Sequence, residues 1–167
     1  MSEPDRIGEA RTEDDILRIL ASKHTRDLFI PHCKTGPSWY VNSGQAILDA
    51  WVMPYSWTRP IIGYEVKVSR SDFKRDRKWW GYLQFCNLFY FVTPWGLLEE
   101  KEIPEEAGLI WLTKTGSGIR YIKKAPSRWW HQIPQSIFQY VLMWRKECNP
   151  SAPEPKRETV QLELETK

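Results

Sequence analysis

The sequence predicts an α/β (α+β) fold in which a mixed β-sheet is flanked by helices. Three observations carry that prediction. An amphipathic helical segment is followed by three short apolar strand-like runs. A strongly apolar strand, LFYFVTP (88–94), is then entered almost directly from a second helical segment, as in a strand–helix–strand crossover. Two more strands and a last helix complete the order, and ten Trp, seven Tyr and six Phe supply a core. At 167 residues this is one domain, expected over 12–148, between a loose arm at 1–11 and a Pro-rich, charged, disordered tail at 149–167.

The elements follow in order. TEDDILRILASKH opens with Thr12 as N-cap, acids in the first turn, and Ile16, Leu17, Ile19 and Leu20 at helical spacing. DLFIPHC (27–33) reads as a strand and KTGPS (34–38) as a turn. QAILDAWVM (45–53) and IIGYEVKVS (61–69) are two strands joined through the proline-bounded PYSWTRP, which predicts an antiparallel hairpin. From Ser71 or Asp72 to Asn87 the pattern is helical, with Asp72 where the macrodipole favours an anion. After 88–94, AGLIWLT (107–113) and GIRYIKK (118–124) form an appended hairpin across KTGSG, and SIFQYVLMWRKEC (136–148) is the final helix.

Net charge is only +3, so any attraction for a polyanion must be local. The polar start lacks the apolar core of a signal peptide, and no run approaches the roughly 18 apolar residues of a membrane span. The expectation is a soluble, cytoplasmic protein with no membrane partner. Cys33, Cys86 and Cys148 are odd in number and widely separated, which excludes a disulfide framework, and His24, His32 and His131 are equally scattered. A His32/Cys33 metal pair is conceivable, but lone His and Cys are more often structural.

The strand at 61–69 carries two charges in an apolar run. The chain has four E-x-K triplets, and the other three, beginning at Glu99, Glu154 and Glu165, fall in loop or tail. Only Glu65–Lys67 lies in a strand, where the period of two sets both side chains on one face. Asp49 interrupts the neighbouring strand in the same way, so hairpin pairing can bring it beside Glu65. Two adjacent carboxylates repel unless a cation holds them. A divalent ion such as Mg²⁺ (or Mn²⁺) held by Asp49, Glu65 and the Val66 backbone carbonyl would resolve this, with Lys67 facing a phosphate. A buried salt-bridge cluster of Asp49, Glu65 and Lys67 would resolve it equally well, and the pattern leaves both readings open.

An aspartate about 15 residues ahead of E-x-K, on adjacent strands in the order αβββαβ, resembles the PD-(D/E)XK (restriction-endonuclease-like) nuclease superfamily. EVKVSRSDFKRDRKWWGYLQFCNLFYFVTP followed by EIPEEAGLIWL resembles its MmcB-like DNA-repair branch, over roughly residues 12–125. The resemblance implies Asp49 and Glu65 as metal ligands and Lys67 as the catalytic lysine of a Mg²⁺- or Mn²⁺-dependent deoxyribonuclease. Leu48 stands where the superfamily motif has proline, which removes no ligand. Some members add an acid from the first helix; Glu13, Asp14 and Asp15 are candidates, though ordinary helix N-terminal acids explain them too.

On the following helix Phe73, Trp80, Leu83 and Asn87 share a face with Asp76 in its middle, either paired with a base or turned toward the site. Lys78 and Tyr82 share another face, and K-x-x-x-Y resembles the Q-x-x-x-Y element along the DNA path of RecB-like nucleases. Arg70, Lys74, Arg75, Arg77 and Lys78 outnumber Asp72 and Asp76, which makes 70–82 a candidate phosphate-facing surface; a solvated helix face is the plainer reading. Arg70, Lys74, Arg75, Lys78 and Tyr82 are the DNA-binding candidates, and Arg120, Lys123, Lys124 and Arg128 can extend them. Of Trp79–Trp80 and Trp129–Trp130, at most one pair is expected to stack on bases, the rest being core.

The function expected is metal-dependent phosphodiester hydrolysis in DNA, in repair or in phage and mobile-element DNA processing, with repair proteins as possible partners. The alternative is a non-catalytic nucleic-acid-binding module of the same fold within a repair complex.

Overall fold

The structure is a computed structural model that describes residues 12–36 and 46–144. The expected arm at 1–11, the tail at 149–167, the end of the 34–38 turn at 37–38 and the end of the last helix lie outside the described residues. Helix α1 (Glu13–Lys23) starts at a capping box: Thr12 Oγ1 accepts from the Asp15 amide, and Asp15 accepts from the Thr12 amide at 3.2 Å. Strands β1 (Leu28–Lys34), β2 (Ile47–Met53) and β3 (Ile62–Val66) follow, then α2 (Arg70–Arg75), a 3-10 segment (Trp79–Phe85) and β4 (Leu88–Thr93). A short 3-10 turn (Glu100–Glu102), β5 (Gly108–Leu112), β6 (Ile119–Lys123) and α3 (Gln135–Trp144) complete the order.

The six strands form one sheet in sequence order. β1–β2–β3 are antiparallel, β3–β4–β5 are parallel, and β5–β6 are antiparallel. The expected β2–β3 hairpin and the crossover to β4 are therefore both present. The β5–β6 hairpin is no separate appendage, because β5 pairs directly with β4.

Alternation sorts the side chains into two cores. Tyr64 and Val66 of β3 and Tyr90 and Val92 of β4 pack under Ile16, Leu17 and Leu20 of α1. Phe89 and Phe91 point to the other face, against Tyr82 and Phe85 of the 3-10 segment and Ile137, Tyr140 and Val141 of α3. Gly63 lies on this second face, where an added Cβ would meet Leu48 Cδ2 at 2.8 Å and Cys86 Sγ at 2.9 Å. A side chain there would push the 3-10 segment off the sheet.

The single helix expected over 72–87 is corrected. α2 begins earlier, at the Ser69 N-cap whose hydroxyl accepts from the Asp72 amide at 3.2 Å, and it stops at Asp76, whose backbone is extended. The Asp76 carboxylate accepts the Lys78 amide at 2.8 Å, a local bond that competes with helix continuation. The chain resumes as a 3-10 helix with three residues per turn, so the faces drawn on an α-helical wheel do not exist. Trp80 is exposed, and β3 ends at Val66, leaving Val68 exposed.

A polar network ties α1 to the sheet. Buried His24 lies 2.8 Å from Asp27 through Nδ1 and 2.9 Å from the Tyr64 hydroxyl through Nε2. Asp27 also accepts Arg59 at 3.0 and 3.3 Å and the Tyr55 amide at 3.3 Å, which fixes the β2–β3 connection. Burial alone would raise the Asp27 carboxyl, but the His24, Tyr55 and Arg59 interactions outweigh it and hold the group below its ordinary value. Its contribution to stability is thus present above the unfolded-state value of about 3.9 and is lost as pH falls through the lower folded value. Asp27→Asn should cost about 1–3 kcal/mol at neutral pH, with the gap from the parent closing as the pH drops below about 4. Urea unfolding at stepped pH measures both; a gap constant with pH contradicts the assignment.

Candidate active site

The site forms where β2 leaves β3. The backbone ladder runs through Val52↔Ile62 and Trp51↔Gly63 to Ala50↔Tyr64 and there ends. One step further, the Asp49 carboxylate accepts the Val66 amide at 2.7 Å, so a side chain replaces the backbone acceptor of the departing strand. In extended chain a residue's N–H and C=O point to the same edge, so the Val66 carbonyl is directed toward Asp49 as well. The β1–β2 register stands at Pro31↔Ala50 and Cys33↔Leu48, which sets His32 opposite Asp49. His32 has φ of 49°, a left-handed conformation that costs a residue with a Cβ and recurs at functional sites.

Asp49 therefore gathers a group that sequence alone did not assemble. Ligand atoms of Glu13, His32 and Asp49 all lie within 4.8 Å of one another, and His32 Nδ1 is 3.7 Å from Glu13 Oε1. Of the three first-helix acids, Glu13 joins the site, while Asp15 is spent on the cap and on Arg18 at 3.2 Å. Glu13 thus stands both in the first turn of α1 and next to Asp49 and His32. The conceivable His32/Cys33 metal pair does not form, because Cys33 is buried in the core and only His32 reaches the cluster. Positive φ is invisible in sequence, and nothing there linked His32 to Asp49.

Glu65 and Lys67 do share a face, and both are buried, at 6 and 5 % exposure. Lys67 Nζ donates to Glu65 Oε1 at 2.9 Å, meets Asp76 Oδ2 at 2.7 Å and lies 3.7 Å from Asp72. Asp76 thus finds its base in the site lysine itself. Burial pushes the Glu65 carboxyl up, the Asp49 charge adds to this, and Lys67 opposes it. Asp49 is also raised, by burial and then by Glu13, against the pull of the Val66 amide. Burial would lower Lys67, but Glu65 and Asp76 carry it above the lysine range. Glu65 Oε2 is buried without a hydrogen-bond partner.

The outer shell departs from expectation at Tyr82. Lys78 is exposed at the N-cap of the 3-10 segment, whereas Tyr82 is buried against Phe89, with centroids 6.0 Å apart. Four residues on a three-residue turn do not stack, so the two share no face. Burial and the Glu65, Asp76 and Asp49 charges raise the Tyr82 hydroxyl, which makes it a neighbour of the acidic site rather than an open strand contact. Arg70 is paired with Glu102, while Lys74, Arg75 and Lys78 are exposed.

The clamp predicts a measurable coupling. Lys67→Met leaves Glu65 and Asp76 without their shared cation and should cost about 3 kcal/mol in urea unfolding. Adding Glu65→Gln should return part of that loss, a non-additivity expected only of groups in contact; equal losses in the single and double variants contradict it.

Comparison with known proteins fits this frame. A family model described as DNA repair protein MmcB-like matches residues 45–144. No curated protein matches the chain. A solved structure of a protein of unknown function from Silicibacter pomeroyi superposes with a TM-score of 0.59, covering 81% of this chain and 84% of that chain at 17% identity. That likeness concerns the fold alone. Among the described residues no helix is long and apolar enough to cross a membrane. The family match takes in Asp49, Glu65, Lys67 and Asp76 and stops short of Glu13 and His32. Since it spans more than half of the sequence, including the whole charged strand, the chain belongs to the MmcB-like DNA repair protein family.

Proposed function

We propose that the protein is a divalent-metal-dependent nuclease that hydrolyses phosphodiester bonds in DNA. The observation that carries this reading is Glu65 Oε2, a buried carboxylate oxygen without a partner beside a second carboxylate, Asp49. An orphaned buried acceptor is costly, and a cation between the two carboxyl groups would relieve that cost. Three donors already stand together, one oxygen each of Glu13 and Asp49 and an imidazole nitrogen of His32; Glu65 and the Val66 carbonyl, the other ligands expected from sequence, would complete a set suited to a hard cation. The imidazole favours Mn²⁺ over Mg²⁺.

When bound, the ion supplies Lewis-acid stabilisation of phosphate charge and an activated water. The chain's own residues do the rest. Asp49 and Glu65, whose carboxyls burial pushes up, would be held ionised by a bound cation, and Asp76 and Glu65 fix the Lys67 ammonium between them at 2.7 and 2.9 Å. Held in this way, Lys67 offers a preorganised positive charge to the developing phosphorane oxygens. Lys74, Arg75 and Lys78, exposed just beyond the clamp, contact the DNA backbone without reading sequence.

Incubation of supercoiled and single-stranded circular DNA with Mn²⁺ or Mg²⁺ tests the proposal. Cleavage is expected with either ion, is lost in chelator, and falls by more than about a hundredfold in Asp49→Asn and Lys67→Ala. His32→Ala and Glu13→Gln should instead raise the Mn²⁺ concentration for half-maximal cleavage by about tenfold. DNA binding without cleavage under any ion would assign the protein to the non-catalytic binding modules.

A further inference from the structure

The carboxyl ends of the parallel strands carry a second charged surface. β3, β4 and β5 run in one direction, with Val66↔Val92 and Thr93↔Trp111 in register, and β6 returns with Arg120 opposite Trp111. The Lys67 amide continues the ladder by donating to the Val92 carbonyl at 2.9 Å. Residues level with one another on neighbouring strands point to the same face, so Lys67, Thr93, Trp111 and Arg120 form one row across the sheet. Three strand spacings put the ends of that row roughly 14 Å apart.

At the far end of the row two cations share one aromatic ring. Lys114 Nζ lies 5.2 Å and Arg120 Cζ 5.7 Å from the centroid of Trp95. Trp95 packs on Trp111 with centroids 5.2 Å apart, and the Trp111 indole N–H is fixed on the Leu98 carbonyl at 2.9 Å. The β5–β6 turn that carries Lys114 is closed by the Thr113 amide on the Gly118 carbonyl at 2.9 Å and the Gly118 amide on Thr113 Oγ1 at 3.1 Å. Both cations are therefore mounted on a fixed support.

A tryptophan holds a cation without neutralising it. Lys114 and Arg120 are exposed, and among the described residues neither forms an ion pair with a carboxylate. Other bases of the region are already committed. Lys123 donates to the Ile103 and Pro104 carbonyls, Arg128 to the Glu106 carbonyl, and Arg70 to Glu102. From Ala107 through Trp144 the sequence contains no acid, so β5, β6 and their turn supply no counter-charge of their own. Glu99, next to the Leu98 that Trp111 holds, pairs with Lys101 at 2.8 Å. Two like charges gathered on one neutral ring repel, and an anion touching both would relieve that.

We propose that Lys114 and Arg120, held on Trp95, bind a backbone phosphate of DNA that lies in the candidate active site. This rests on the nuclease reading and deepens it, because the row begins at Lys67, the residue that reading sets against the scissile phosphate. A substrate laid along the row leaves the site over the carboxyl ends of β4 and β5 and meets the two cations at β6. The span of roughly 14 Å equals about four steps of 3.4 Å along a duplex strand. The Trp95 ring, engaged by Trp111 and by both cations, positions charge and does not stack on a base. Such a contact is indifferent to sequence.

Fluorescence anisotropy in chelator tests this without turnover, using a fluorescein-labelled duplex of about 20 base pairs and its single strand, each titrated with NaCl. Arg120→Gln and Lys114→Gln should each weaken binding about fivefold at about 0.1 M salt. Each should also reduce the slope of log affinity against log salt, by about 0.9 on duplex or about 0.7 on single strand. Trp95→Leu keeps both charges but releases them, and should weaken binding about threefold with the slope unchanged. Arg26→Gln removes the same charge beside Asp27, at the β2–β3 connection and the other end of the sheet, and should change affinity less than about twofold. Equal losses in Arg26→Gln and Arg120→Gln would reveal diffuse attraction and overturn the proposal. Unchanged affinity and slope in the Lys114→Gln/Arg120→Gln double variant, or no binding to either probe, would overturn it too. So would loss of binding to a labelled oligoglutamate with DNA affinity intact, which would assign the cations to an acidic protein surface. If Mn²⁺-dependent cleavage fails while the variants lose DNA affinity, the nuclease reading falls and the phosphate contact stands. Cleavage with affinity unmoved by the variants does the reverse.

Discussion

The site depends on a carboxylate doing the work of a backbone carbonyl. Had β2 continued to pair with β3 beyond Ala50, the Val66 amide would have taken a main-chain acceptor and the sheet would have closed. The Asp49 side chain takes that amide instead, at 2.7 Å, which satisfies the donor while letting the strands part. The opening admits groups from both faces of the sheet. Glu13 arrives from the N-terminus of α1 and His32 from β1 to stand with Asp49, while buried Glu65 lies close by on β3. No single element could present all four.

Such a concentration of acid needs a counterweight, and Lys67 provides it in part. Its ammonium spans Glu65 and Asp76, so one cation serves two buried carboxylates from different elements. The arrangement also explains the interrupted helix. Asp76 binds Lys67 through one oxygen and the Lys78 amide through the other, and a residue so committed cannot continue α2. The break turns the chain toward the 3-10 segment, which Gly63 permits to lie close on the sheet. Yet the balance is incomplete, because Glu65 Oε2 keeps no partner and Asp49 keeps two acidic or imidazole neighbours. The proposed cation would supply the missing counter-charge.

Much of this was legible before the structure. Period-two alternation set Glu65 and Lys67 on one face, and the short proline-bounded connection brought Asp49 against β3, because both follow from local chain geometry. The strand set and the direction of β4 followed from the same rules. What sequence did not give has a common cause. His32 entered the site through a backbone torsion, Glu13 through the way α1 docks on the sheet, and Asp76 ended a helix by a side-chain bond. Each is a tertiary decision that overrides a local preference. The shared face of Lys78 and Tyr82 is absent for the same reason, since it assumed an α-helical pitch that the segment does not have.

The two ends of the sheet then acquire different chemistry from one strand. β3 is buried along its whole length, so it cannot bend to bring its ends together or let them drift apart. Acid and a caged lysine occupy one end, and aromatic surface free of acid occupies the other.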